Sequence, residues 1–524
     1  MGIYLNPGDS GFRSMLASEY VDKTGLISLV NESIGTTYKL TCVSRPRRFG
    51  KSYAAKMLCA YYDKTCNGEN LFDGLAIADD SRYLKHLHKY DVIYLDMTNL
   101  LGKAEAENLT KYIESNVAAE ILTGYPEIKA GNSFDQTLAN CVEYTGNKFI
   151  MIIDEWDAPI RETPTMERKY LEFLRMLFKS SGTTDKIFAA AYMTGILPIR
   201  KDGSQSAISD FEEYTMLDPQ RFAAFVGFTE NDVKTLCEKH KVKFADMKRW
   251  YDGYNLGNIE SVYNPNSVMK AIQRGKFKSY WTETSAATSL MHYISQDYHG
   301  LTKTIAELIG GIDVAIDPYG FANNLTTFRG KDDVLTLLVH LGYLSFDEEA
   351  ETVRIPNEEI RREFSRAIRE VKHTATLERL QESKLLFQNT IEGKADEVAK
   401  QIEKVHGEET SSMHYNNEAS LRSVIKLAYY TYKDNYLKFE ELPGGAGYAD
   451  IVYFPKKNSP WPILVIELKW KKSVETALDQ IRQRNYSADI QDYGSEILLV
   501  GINYDKDDPP GQRRHECKIE RMNQ

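Results

Sequence analysis

The chain has 524 residues and a mass of 59.9 kDa, more than one hydrophobic core holds, because cores stop growing at about 250 to 300 residues. With 42% hydrophobic and 27% charged residues, and no stretch near the roughly 18 consecutive apolar residues of a membrane span, it reads as soluble and globular, with no membrane partner expected. A net charge of -10 excludes a surface basic throughout, so nucleic-acid contact has to come from a local basic strip.

The opening MGIYLNPGDSGF lacks the basic, apolar and small-residue succession of a signal peptide, and Asn6 stands where a myristoylation signal carries Ser or Thr. A cytoplasmic protein is expected. Cys42, Cys59, Cys66, Cys141, Cys237 and Cys517 form no CxxC pair, which argues against a disulfide framework or a cysteine zinc site and for buried thiols.

From residue 38, apolar runs alternate with longer amphipathic stretches: YKLTCVS (38–44), DVIYLDM (91–97), KFIMIIDE (148–155) and KIFAAAYMTG (186–195). Continuous apolar runs mark strands covered on both faces, so residues 1–215 are expected to form an α/β domain around a mostly parallel sheet. Residues 216–385 turn mostly helical, as in FTENDVKTLCEKH, where Thr229 can cap a helix with Asp232 in its first turn. The stretch from Asp333 to Ile368 reads either as helix, strand, strand, helix, the order of a winged-helix module, or as a helical linker with an incidental hairpin. Residues 376–405 read as an amphipathic helix that opens a last α/β region, residues 386–524.

SRPRRFGKSY (44–53) places Gly50-Lys51-Ser52 between the first strand and a helix, where free backbone N–H groups and the positive helix end face outward. Lys51 then reaches the β- and γ-phosphates of ATP and Ser52 ligates magnesium. Position 45 is Arg where a phosphate loop has its first glycine, so the loop must enter differently; Pro46 stiffens it, and Arg47 and Arg48 can neutralise phosphate. In FIMIIDEWD the strand delivers Asp154, to hold magnesium, and Glu155, to polarise water, to the ligand-binding edge of the sheet. Thr194 at the same edge is placed to sense the γ-phosphate, or else merely ends its strand. Arg200 and Arg161 compete as the cation that stabilises transferred charge.

Near the C-terminus, GGAGYADIVYFPKKNSPWPILVIELKW reads as two strands. Alternation puts Glu467 and Lys469 on one face, and Asp450 begins the partner strand. Two carboxylates and the Leu468 carbonyl make a hard-oxygen site for magnesium or manganese, with Lys469 beside it to orient or deprotonate a water. A cross-strand salt bridge on a sheet face is the simpler alternative. Gln480 and Tyr486, on the following helix, can cross the site, Glu418 can add a carboxylate, and Lys471, Lys472, Arg482 and Arg484 supply charge for a nucleic-acid backbone.

YVDKTGLI (20–27), SRPRRFGKS, FIMIIDEWDAPI, YDGYNLG (251–257), VYNPNSV (262–268) and YWTETS (280–285) together resemble the bacterial AAA-ATPase-like family with an RPRRFGK[ST] phosphate loop. The end of the chain resembles the PD-(D/E)XK nuclease-like domain that accompanies it, with Ala449 at the loosely defined leading position. The resemblance implies ATP binding around Arg47, Arg48, Phe49, Gly50, Lys51, Ser52, Asp154, Thr194 and Arg200, with Glu155 catalytic. It also implies a nuclease site at Asp450, Glu467, Lys469 and Gln480. The expected function is an ATPase coupled to a magnesium- or manganese-dependent nuclease acting on DNA or RNA, with self-association expected. The alternative is an ATP-dependent switch whose nuclease-like domain is silent.

Overall fold

The apolar runs of the first half fold as parallel strands: β1 (Leu40–Ser44), β2 (Asp91–Asp96), β3 (Phe149–Asp154) and β4 (Phe188–Gly195). A three-residue strand, β5 (Glu212–Tyr214), not anticipated from the sequence, completes a sheet of order β2-β3-β4-β1-β5. Every residue of β1, β3 and β4 is buried, as two-sided cover demands.

The computed structural model describes residues 2–66, 71–104, 108–179, 181–199, 208, 210–281, 301–321, 328–370, 374–409, 418–429, 436–444, 447–456, 461–483, 496–505 and 514–522. It comprises two compact units, Met1–Ala286 with Ala315–Glu363, and Ala287–Val314 with Phe364–Gln524.

In the first unit, helix α1 (Lys51–Tyr62) follows β1 directly. Helices α2 (Leu109–Gly124), α3 (Phe134–Thr145) and α4 (Glu167–Phe178) bring Ile113, Leu138, Leu174 and their neighbours onto a core with Ile93, Met151 and Ala191. Because β1 lies beside β4 and β4 beside β3, the C-terminal ends of these three strands adjoin.

Helix α5 (Glu230–His240) begins as its sequence requires: Thr229 N donates to Asp232 Oδ2 (2.7 Å) while Asp232 N donates to Thr229 Oγ1 (3.3 Å). Helix α6 (Phe244–Tyr251) is followed by a short hairpin, Tyr254–Leu256 with Ile259–Tyr263, to which Phe228–Thr229 adds a third strand. This sheet inside the helical middle escapes sequence reading because strands of two to five residues are too short to establish a period. Helix α7 (Pro265–Arg274) comes next, then α8 (Lys331–His340), strands Ser345–Asp347 and Thr352–Arg354, and α9 (Glu358–Glu370). The last four elements stand in winged-helix order.

In the second unit the helix expected across 376–405 is two, α10 (Thr374–Ile391) and α11 (Ala395–Glu409). Gly393, at φ +75°, ends the first in the left-handed conformation that terminates helices. After α12 (Glu418–Ala428) come β6 (Tyr436–Gly444), β7 (Gly447–Pro455), β8 (Ile463–Trp470), α13 (Val474–Gln483), β9 (Ile497–Tyr504) and β10 (His515–Met522). The sheet runs β6-β7-β8-β9-β10, with only β8 and β9 parallel, as the intervening α13 requires. One face packs through Ile451, Ile466, Leu468 and Ile502 on α10 to α12, the other through Val452, Val465 and Leu499 against Leu478 of α13. The fold is thus a P-loop α/β domain, a helical middle section and a C-terminal α/β domain.

Candidate nucleotide and nuclease sites

At the joined strand ends of the first unit, Lys51 is 3% exposed, and its ammonium donates to the carbonyls of Arg45 and Pro46 (both 3.0 Å) and pairs with Glu155 Oε1 (3.1 Å). Glu155 Oε2 takes Arg161 Nη2 at 3.0 Å, and Arg161 Nε donates to Asp157 Oδ2 at 2.8 Å. A cation, carboxylate, cation, carboxylate chain results. Burial pushes the Glu155 carboxyl up, but Lys51, Arg161 and Arg47 outweigh it and hold it below its ordinary value. Arg161, the rival of Arg200 for the charge-stabilising cation, is half-buried between Glu155 and Asp157.

Asp154 is 2% exposed and accepts from Thr194 Oγ1 at 2.6 Å, while Thr194 Oγ1 accepts from Glu155 N at 3.2 Å. Burial raises the Asp154 carboxyl, and hydrogen bonds from Ser52 and Thr194 oppose that rise. The structure therefore brings Lys51, Ser52, Asp154, Glu155 and Thr194 together. Arg200 lies outside the described residues.

The loop solves its missing glycine by burying Arg45 completely: Nη1 donates to the carbonyls of Ser44 (2.8 Å), Tyr214 (3.0 Å) and Thr215 (2.9 Å). Desolvation lowers its pKa to about 10. The left-handed backbone falls instead at Arg48 (φ +70°) and Gly50 (φ +97°). Arg48 Nη1 donates to the Tyr280 carbonyl (3.0 Å), Phe49 is buried edge-on to Tyr254 (5.2 Å), and Arg47 is half-buried. Beside the loop lies a cleft of about 580 Å³ whose walls include Met15, Tyr20, Val21, Phe225 and Met269. Sequence reading singled out only Tyr20 and Val21 among these, because the others are dispersed apolar residues with no motif of their own.

In the second unit, Asp450 and Glu467 directly flank the paired residues Ile451 and Ile466 at the end where β7 and β8 separate. Asp450, Glu467 and Lys469 are 8%, 1% and 5% exposed. Lys469 Nζ stands 3.1 Å from Glu467 Oε1 and 3.0 Å from the Leu468 carbonyl, and Leu468 N donates to Asp450 Oδ2 at 2.8 Å. Three sequence-derived residues and the Leu468 carbonyl thus gather at one strand end.

Asp450 Oδ1 also pairs with Arg422 Nη2 at 2.7 Å. Glu418, expected to offer a carboxylate, is half-buried at the start of α12; Arg422, one turn onward, is the α12 residue bonded to Asp450. The four-residue spacing from Glu418 was the available signal. Gln480 is half-buried on α13. Lys471 and Lys472 are exposed, Arg482 pairs with Asp479 and Glu520, and Tyr486 and Arg484 lie outside the described residues.

Residues 10–204 match the family described as predicted AAA-ATPase, and residues 416–509 match the PD-(D/E)XK nuclease superfamily. No curated protein matches the chain. Among solved structures it is similar to the Aeropyrum pernix ORC2 protein, at 12% identity over 68% of this chain and 97% of that one, with a TM-score of 0.33. It is also similar to a DNA replication initiation factor, at 13% identity over 79% and 97% with a TM-score of 0.26. The Aeropyrum pernix ORC1 protein in complex with DNA is similar at 11% identity over 69% and 95%, with a TM-score of 0.27. Among the described residues no helix is long and apolar enough to cross a membrane. The chain therefore carries an AAA-ATPase-like domain over residues 10–204 and a domain of the PD-(D/E)XK nuclease superfamily over residues 416–509.

Proposed function

We propose that the chain hydrolyses ATP at the β1–α1 loop and cleaves nucleic acid, DNA in the first instance, at the β7–β8 strand end, with nucleotide state gating cleavage through the middle section. The observation that carries the nuclease reading is the buried ammonium of Lys469 lying on Glu467 and the Leu468 carbonyl, with Asp450 on the same residue's amide.

Lys469 stands as a cation among buried oxygens, so the donor set suits a hard divalent ion, magnesium or manganese, held by Asp450, Glu467 and the Leu468 carbonyl. Such an ion, when bound, polarises a phosphate oxygen and stabilises charge on the departing one. Lys469, released from Glu467, orients the attacking water, and Gln480 supports it from α13. The exposed Lys471 and Lys472 attract the phosphate backbone.

In the first unit the cleft beside the loop takes the adenine, and Lys51 exchanges Glu155 for the β- and γ-phosphates. Ser52 and Asp154 hold magnesium, Glu155 aligns the attacking water, and Thr194 reports the γ-phosphate. Arg47 and Arg48 add positive charge at the loop. Assembly of several copies, with an arginine such as Arg200 supplied between them, belongs to the same proposal.

A second reading is favoured by one contact: Arg422 occupies Asp450 Oδ1, as in a nuclease-like domain that only binds. Linear, circular and single-stranded DNA and RNA, incubated with wild type, Lys51→Ala and Glu467→Gln in magnesium or manganese, with ATP present or withheld, separate the two. The proposal expects cleavage by wild type, none by Glu467→Gln, and altered ATP dependence in Lys51→Ala. No cleavage of any substrate under either metal overturns the nuclease half.

A further inference from the structure

Away from both sites, Glu403, His406 and His515 place one ligand atom each within 4.8 Å of one another. Glu403 and His406 are three residues apart on α11, which puts them on one helical face, and His515 opens β10 against that face. Glu403 Oε2 accepts from His515 N (3.1 Å) and lies 2.5 Å from His515 Nδ1. The two imidazoles meet edge to face with centroids 5.1 Å apart, and Tyr504 packs on both, at 5.1 Å from His406 and 4.7 Å from His515.

We propose that Glu403, His406 and His515 bind a divalent transition-metal ion, zinc by the nature of the donors, clamping α11 to the C-terminal strand. Two imidazoles and one carboxylate are a three-ligand zinc set with one further position open. Ligand bonds of about 2.1 Å at tetrahedral angles separate donors by about 3.4 Å. Donors now between 2.5 and 4.8 Å apart reach that spacing by side-chain adjustments of about 1 Å.

The Glu403–His515 hydrogen bond joins two of the groups, and the second imidazole is buried against the first. Both histidines are buried, whereas the Glu403 side chain is 34% exposed and gives an ion its way in.

The test uses the full chain, stripped with a chelator and titrated with zinc alone, without nucleotide, in an Asp450→Asn background that disables the oxygen-rich site. The expected result is one zinc per chain, weakened roughly 100-fold or more by Glu403→Gln or His406→Gln. Cobalt(II) should show the visible absorption of a four- or five-coordinate ion in the parent and lose it in these variants. His406→Phe keeps the ring packing while removing the ligand, so it should fold as the parent, by circular dichroism, yet bind no zinc. A parent that takes up no zinc, or a folded His406→Phe that binds it with unchanged stoichiometry and affinity, overturns the proposal.

Discussion

Exchanging Glu155 for Gln should tighten ATP binding while stopping its hydrolysis. Glu155 lies 3.1 Å from the Lys51 ammonium, a separation at which unit charges attract by about 5 kcal/mol at an effective dielectric of 20. Desolvation of Lys51, 3% exposed, and of Glu155, 21% exposed, offsets most of that, leaving about 1.5 kcal/mol for phosphate to overcome when it displaces the carboxylate. Removing that competition corresponds to roughly tenfold tighter binding. Arg161 keeps Asp157 as its partner, and Lys51 keeps the Arg45 and Pro46 carbonyls until phosphate arrives. Calorimetric titration with ATP and magnesium should show this gain for Glu155→Gln, little binding for Lys51→Ala, and turnover reduced by about 100-fold or more in Glu155→Gln. Binding equal to or weaker than wild type in a folded Glu155→Gln protein refutes the idea that the carboxylate competes with phosphate for Lys51.

Lys469→Met leaves Glu467 buried beside the Leu468 carbonyl, so cleavage should vanish and the second unit should lose about 3 kcal/mol in denaturant without divalent ions, partly restored by manganese. Arg422→Gln frees Asp450 Oδ1 and should tighten manganese binding roughly fivefold, about 1 kcal/mol for a partly exposed pair; weaker binding would show that Arg422 positions the carboxylate instead. Glu359 accepts from Tyr280 N (2.6 Å), Trp281 N (3.1 Å) and Ser267 Oγ (3.1 Å), and burial raises its pKa to about 7. The folded carboxyl then keeps a proton that the unfolded one releases near 4.5, so its contribution is complete below that pH and is lost as pH rises through 7. Glu359→Gln should therefore gain about 3 kcal/mol over wild type between pH 4.5 and 8 in denaturant titrations; a gap independent of pH would contradict the assignment.

Features carried by a short run of neighbours are legible in the amino-acid sequence itself. The runs that form β1, β3 and β4 are continuous, apolar and bounded by charge, so the strands end within two residues of expectation, with Lys51, Asp154 and Thr194 at one edge. Thr229 and Asp232 mark their helix because a capping box spans four adjacent residues. Glu467 and Lys469 follow from strand alternation alone. Features made by distant partners are not legible in this way. Arg45 reads as a defect in a glycine loop, yet its guanidinium binds carbonyls 169 and 170 residues onward. Arg422 meets Asp450 across 28 residues, and Arg161, a surface candidate by sequence, is a half-buried partner of Glu155. The break at Gly393 is hidden by an apolar period that continues on both sides of it, and the early strand of the C-terminal sheet, β6, lies in a stretch with too many charges to stand out.

The most direct measurement is anomalous scattering from crystals of the wild-type chain grown with manganese. The account predicts a manganese ion bound by Asp450, Glu467 and the Leu468 carbonyl oxygen, with the Lys469 ammonium moved off that carbonyl. A chain in which Lys469 remains on Glu467 and Leu468, with no manganese among these oxygens at saturating metal, contradicts it.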